Sequence, residues 1–262
     1  SVNPATNEPY YYDLPVFSIR DMIRTYQQLK DHLGIRKVLV GLGGSTGGMQ
    51  LLEWAIEEPE LFEHIVPIAT NALLSAWGVA FNASQRMAIE ADGTWLEKRQ
   101  DAGQKGLATA HSIALLSYRH YNGYDITQPR DKAFVSLTDN VEYAADNYQR
   151  YQGLKLVNRF NAACYYRLTQ SMDSHDVGRN RGGVINALKK VISRTLVIGI
   201  ESDVLYPISE QQFLQQHIRG AELLSIASDF GHDGFLLEYE KIETALKKYI
   251  EEKSSHHLKI AN

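Results

Sequence analysis

Gly41-Leu42-Gly43-Gly44-Ser45-Thr46-Gly47-Gly48-Met49 is the stretch on which the reading of this chain turns. Residues 43–47 fit G-x-S-x-G, and the surroundings matter more than the letters. The run Lys37-Val38-Leu39-Val40-Gly41 reads as a short buried strand. Met49 to Glu58 reads as a helix that carries Leu52, Ala55 and Ile56 inward and stops before Pro59. A serine between strand and helix, hemmed by glycines, is where a nucleophile elbow belongs. The turn is crowded, so small residues must flank the serine, and the helix N-terminus aims backbone N–H groups at any oxyanion. Other glycine loops fail on the letters. A dinucleotide loop wants G-x-G-x-x-G, yet counting from Gly41 and Gly43 the third position is Thr46. A phosphate-binding loop wants Gly-Lys-Ser/Thr, yet Gly48 is followed by Met49. The plainer alternative is a glycine turn that only packs strand on helix.

Working outward, a serine nucleophile needs a base, and the base needs an orienting carboxylate. In a strand–Ser–helix fold these follow in the order Ser, Asp/Glu, His. Asp203 lies just past the predicted strand 195–200, and His232 just past the predicted strand 223–227. Both loops open at the sheet edge that carries Ser45, where a parallel sheet places its site. Glu201 is the rival carboxylate but lies closer to its strand. The plainer roles are a helix-cap aspartate before Pro207 and a surface-turn histidine. His64, His111, His120 and His175 fit the chain order less well.

The wider chain gives the architecture. Residues 18–33 read as a helix with a Ser18/Asp21 capping box and a Gly34 stop. Residues 64–69 form another apolar strand, with Pro67 awkward in a central position. From about 75 to 190 strand signals stop, and helical patterning covers 79–91, 104–118, 139–150 and 153–173. Strand–helix alternation then resumes. The expected fold is α/β: a parallel sheet core from residues 1–74 and 191–262 with a helical cap, 75–190, inserted. The sheet order should be sequential, leaving 38–40 as an edge that invites pairing.

Composition excludes several classes. The chain has 262 residues, 44% of them hydrophobic, enough for a sizeable core. A net charge of -4 gives no nucleic-acid surface. No apolar run approaches the roughly 20 residues that span a bilayer. The single cysteine, Cys164, cannot form an intrachain disulfide, which suits a reducing, cytoplasmic setting. The His256-His257 pair reads as a solvated tail rather than a metal site. Ser1-Val2-Asn3-Pro4 reads like the middle of a protein.

Several segments resemble the homoserine O-acetyltransferase family. Gly43-Gly44-Ser45-Thr46-Gly47-Gly48-Met49-Gln50 with Leu52-Glu53-Trp54-Ala55 looks like its nucleophile segment. Ser1-Val2-Asn3-Pro4 and Phe17-Ser18-Ile19-Arg20-Asp21-Met22 are similar to its S-I-N-P and T-I-R-D-M segments. Ser202-Asp203 and Gly231-His232-Asp233-Gly234-Phe235-Leu236 look like its acid and histidine loops. The resemblance covers essentially the whole chain. It implies an α/β-hydrolase fold, no permanently bound cofactor or metal, and acetyl-CoA as co-substrate. The implied reaction is ping-pong acetyl transfer to the hydroxyl of L-homoserine in methionine biosynthesis, with Ser45, His232 and Asp203 as triad. It also implies a homodimer through the cap, with Asp233 holding the substrate's amino group.

Three departures from the pattern stand out. Thr46 replaces the usual Met, which is tolerable because only its backbone N–H serves the oxyanion. Gln170 stands where a basic residue is expected to bind the substrate carboxylate; Arg167, three residues earlier on nearly the same helix face, is the candidate substitute, or else a surface arginine. The family's N-terminal segment, with the loop that gives the other oxyanion N–H, is not found here. Losing one such donor typically costs about 10²–10³ in rate. These departures keep open a succinyl donor or a serine acceptor, an esterase of the same fold, and a dimeric scaffold without activity.

Overall fold

Short apolar runs alternate with amphipathic helices along the chain, and the computed structural model arranges them as a wound α/β sheet with a helical block. It describes residues 1–130, 133–135 and 141–260, with side chains for 1–130 and 143–251. The chain runs α1 (Ile19–His32), β1 (Val38–Gly44), α2 (Thr46–Glu57) and β2 (Phe62–Ile68). It continues through α3 (Ala76–Glu90), α4 (Gln104–Tyr118), α5 (Tyr121–Thr127), β3 (Ala133–Val135), β4 (Val141–Tyr143), α6 (Ala144–Val157), α7 (Ala162–Asp173) and α8 (Val184–Leu188). It closes with β5 (Arg194–Ile200), α9 (Ile208–His217), β6 (Glu222–Ile226), α10 (Gly234–Leu237) and α11 (Tyr239–Ile260).

The core sheet is parallel in the order β1-β2-β5-β6, as sequential pairing predicts. Among the described residues β1 has a strand on one side only, and Leu39 and Leu42 are exposed along it. One face packs Leu52, Ala55 and Ile56 of α2 with Leu214 and Ile218; the other packs Val66, Ile198 and Ile200 under Ile242 and Tyr249 of α11. Pro67 does lie in a central strand. The paired residues of β2 and β5 skip Val66 and Pro67, so the missing N–H falls where the ladder already breaks.

The predicted capping box forms: the Ser18 side chain accepts from Asp21 N–H while the Asp21 carboxylate accepts from Ser18 N–H at 2.9 Å. Glu53, buried on α2, takes two hydrogen bonds from Arg181, at 2.8 and 2.9 Å, and another from Arg20, which ties α1 to the elbow helix.

The helical block departs from expectation at two places. The predicted helix 153–173 is broken, because the Asn161 side chain accepts from Cys164 N–H at 2.7 Å and starts α7 afresh. The antiparallel hairpin β3–β4 interrupts a stretch in which no strand was expected. Positions 139 and 140 of the expected helix 139–150 lie outside the described residues, and the rest of it begins only at Ala144. His256 and His257 fall in the last turns of α11, beyond the described side chains.

Candidate active site

The sharp turn from β1 into α2 holds Ser45 at φ 54°, ψ -123°, a strained backbone for any residue with a side chain. The strain is locked in by fit. A Cβ on Gly43 would lie 2.3 Å from Gly47 O, and one on Gly44 would strike the Phe235 ring at 2.4 Å. Ser45 N–H donates to Ile68 O at 2.9 Å, and the Thr70 hydroxyl donates to Ser45 O at 2.8 Å. Thr46 opens α2, so its N–H has no partner within the helix and lies at the positive end of the helix dipole, next to Ser45.

The structure brings the three predicted residues together. Ser45 Oγ lies 2.9 Å from His232 Nε2, and His232 Nδ1 lies 2.7 Å from Asp203 Oδ2. Asp203 is buried, and its second oxygen accepts from Leu205 N–H at 2.8 Å and Tyr206 N–H at 2.9 Å. Three hydrogen bonds thus fix the carboxylate and, through it, the imidazole. The rival, Glu201, is exposed and accepts instead from Ser225 Oγ at 2.9 Å. Gly231 sits at φ 64°, and a Cβ there would come within 2.7 Å of the Arg119 backbone, which leaves no room for a side chain. The ring of His232 is walled by Tyr206, Phe235 and Tyr118, with centroids 5.2, 5.3 and 5.8 Å away. Burial pushes the Tyr118 phenol up to about 12, so it stays protonated.

The other expected site residues stand differently. Asp233 follows His232 directly, but its Oδ2 already pairs with Arg119 Nη1 at 2.6 Å. Burial raises its carboxyl above the ordinary range, and Arg119 pulls it back. Arg119 was not singled out from the sequence; it ends α4, far along the chain. Arg167 and Gln170 are engaged with each other and with the N-terminal backbone. Arg167 donates to Leu14 O at 2.5 Å, Tyr12 O at 2.9 Å and Gln170 Oε1 at 2.7 Å. That pair straps the N-terminal segment to α7. Among the described residues no group of His, Cys, Asp and Glu side chains is arranged to hold a metal.

Fold and site together define a class: an enzyme of the α/β-hydrolase fold. The alpha/beta hydrolase fold family matches residues 3–239. Curated relatives narrow the class. A homoserine O-acetyltransferase of Cyclobacterium marinum is 41% identical over 254 residues, which cover 95% of this chain and 70% of the relative. One from Salinibacter ruber is 40% identical over 249 residues, covering 92% of this chain and 70% of the relative. The chain belongs to the homoserine O-acetyltransferase family. Among solved structures, the homoserine O-acetyltransferase from Bacillus anthracis superposes with a TM-score of 0.87 at 22% identity, over 95% of this chain and 69% of that one. Esterase E22 superposes at 0.86 and 21% identity, over 95% and 71%. At such identities these two speak for the fold alone.

Proposed function

We propose that this chain moves an acetyl group from acetyl-CoA to the hydroxyl of L-homoserine through an acetyl-Ser45 intermediate, as a cytoplasmic step of methionine biosynthesis. The observation that carries the reading is the Ser45–His232–Asp203 chain of hydrogen bonds in a member of this family. Ser45 Oγ attacks the thioester carbonyl while its proton passes to His232 Nε2. The C–S bond breaks and the proton leaves on the CoA sulfur. His232 then takes the proton of the acceptor hydroxyl, the new C–O bond forms, and the bond to Ser45 Oγ breaks as that oxygen recovers a proton. Asp203 holds the imidazole tautomer and balances its charge. Thr46 N–H stabilises the oxyanion. Asp233 receives the acceptor's ammonium group.

Residues 75–190 act as a lid over the core formed by 1–74 and 191–262. Its exposed Leu116, Ile126, Tyr151 and Leu154 supply apolar surface for a homodimer. The reaction needs no permanently bound cofactor and no nucleic acid, and among the described residues no helix is long and apolar enough to cross a membrane.

The test is intact mass after mixing with acetyl-CoA, followed by steady-state assays with acetyl-CoA and succinyl-CoA. An acetyl adduct is expected on the parent and none on Ser45→Ala, whose residual rate is the roughly 10³–10⁴ over water that binding and the oxyanion hole supply. An adduct that persists in Ser45→Ala removes the covalent assignment. CoA release that does not depend on homoserine makes the enzyme an esterase of this fold. Preference for succinyl-CoA moves the donor.

A further inference from the structure

Tyr206 follows Asp203 closely in the loop after β5 and is fully buried. Its backbone N–H is spent on the Asp203 carboxylate at 2.9 Å, and its ring lies against His232. Its hydroxyl makes no well-formed hydrogen bond, although it lies within interaction range of the Ser45 side chain. Burial pushes the phenol far above its ordinary range, with Tyr118 and Asp203 adding to the shift and Ser45 opposing it, so the group is always a donor and never an anion. A buried hydroxyl left unpaired carries the full desolvation penalty of that group, and a Phe would fill the same space without it. Such a donor is explained if another state of the reaction gives it an acceptor.

We propose that the Tyr206 hydroxyl is a catalytic hydrogen-bond donor to Ser45 Oγ at the moment that oxygen leaves the acyl carbon. While Ser45 is free, Oγ donates its proton to His232 and offers a second donor only the lone pairs of a neutral hydroxyl. When the tetrahedral intermediate of deacylation collapses, the C–Oγ electron pair returns to Oγ and negative charge grows there until His232 delivers the proton. Tyr206 Oη–H then points at a charged acceptor, and charge-assisted bonds are about twice as strong as neutral ones. The phenol keeps its proton throughout, so no atom or electron is gained or lost. The proposal rests on Ser45 being the nucleophile.

The experiment compares the parent with Tyr206→Phe in single-turnover mixing with acetyl-CoA. It follows both the rise of the acetyl-enzyme by intact mass and its decay on adding homoserine. Decay is expected to slow about 10-fold or more in Tyr206→Phe, with the acetyl-CoA concentration that half-saturates acetyl-enzyme formation within twofold of the parent and the melting midpoint unchanged or higher. Decay within twofold of the parent overturns the proposal. So does slower decay with a lowered melting midpoint, because the hydroxyl would then be holding the fold. If the parent forms no adduct at all, the nucleophile assignment falls and the proposal with it.

Discussion

His111 lies half-buried on α4, and burial, with Arg159 and Arg119 nearby, pushes its imidazole down to about 4. The unfolded chain takes up this proton near 6.5, whereas the folded chain does so only near 4. Between those values the unfolded state binds more protons, so stability is full above about 6.5 and falls as pH drops toward 4. His111→Gln should therefore flatten the acid side of the stability curve, by about 1–2 kcal/mol at pH 5 after allowing for the ring's partial solvent screening. Chemical denaturation at pH 7 and pH 5 measures it, and equal losses in parent and variant would show that His111 does not contribute. At this scale the meeting of Ser45, Asp203 and His232 was legible in the sequence, because each sits at a strand end on the same edge of the sheet. Arg119 and Tyr206 were not. Their importance comes from what they touch: Asp233 across the chain in one case, the far side of the triad in the other. The partners of Arg167 were hidden for the same reason, since nothing in local spacing announces that the Tyr12 and Leu14 carbonyls will accept from its guanidinium.

The elbow between β1 and α2 separates two glycines that look alike in sequence. A Cβ on Gly43 would collide with the Gly47 carbonyl, whereas one on Gly47 meets nothing within 4 Å. Gly43→Ala should force Ser45 off its strained φ and lower acyl-enzyme formation by at least about 10²-fold, since small misplacements at a reacting centre cost that much. Gly47→Ala should keep near-parent rates and gain a few tenths of a kcal/mol from helix propensity. Paired acylation rates decide it; equal losses in both would mean that the motif, not the steric fit, is what matters. The four sheet strands were readable because each is a short apolar run between breakers, although only β2 and β5 are buried along most of their length and β1, read as a buried strand, exposes Leu39 and Leu42 at the sheet edge. The hairpin β3–β4 was not, because three-residue strands leave too short a pattern. The break before α7 was missed because a side-chain cap at Asn161 overrides an otherwise unbroken helical periodicity.

Over the whole molecule, the ion pair between Arg119 and Asp233 joins the helical block to the His232 loop of the core. Arg119 ends α4, its guanidinium reaches the residue next to His232 and also the Tyr148 hydroxyl at 3.1 Å, and its backbone abuts Gly231. The pair is only partly exposed, with side chains 26% and 20% accessible, so neither charge is well served by water alone. In Arg119→Ala the Asp233 carboxyl keeps its burial and loses the cation that offsets it, so it titrates higher than in the parent. If Asp233 must be ionised to hold the acceptor's ammonium group, the acid limb of kcat/KM for homoserine should move to higher pH, and its KM at neutral pH should rise about 10-fold. The acetyl-CoA half-reaction, which does not need Asp233, should keep its parent pH profile. Stability should fall by about 1–2 kcal/mol, from the carboxylate left without its partner. Arg119→Lys, which restores a charge without the planar fork, should recover part of the KM and most of the limb. An unmoved acid limb together with an unchanged homoserine KM in Arg119→Ala would show that Asp233 does not meet the acceptor, and that the pair only fastens the helical block to the core.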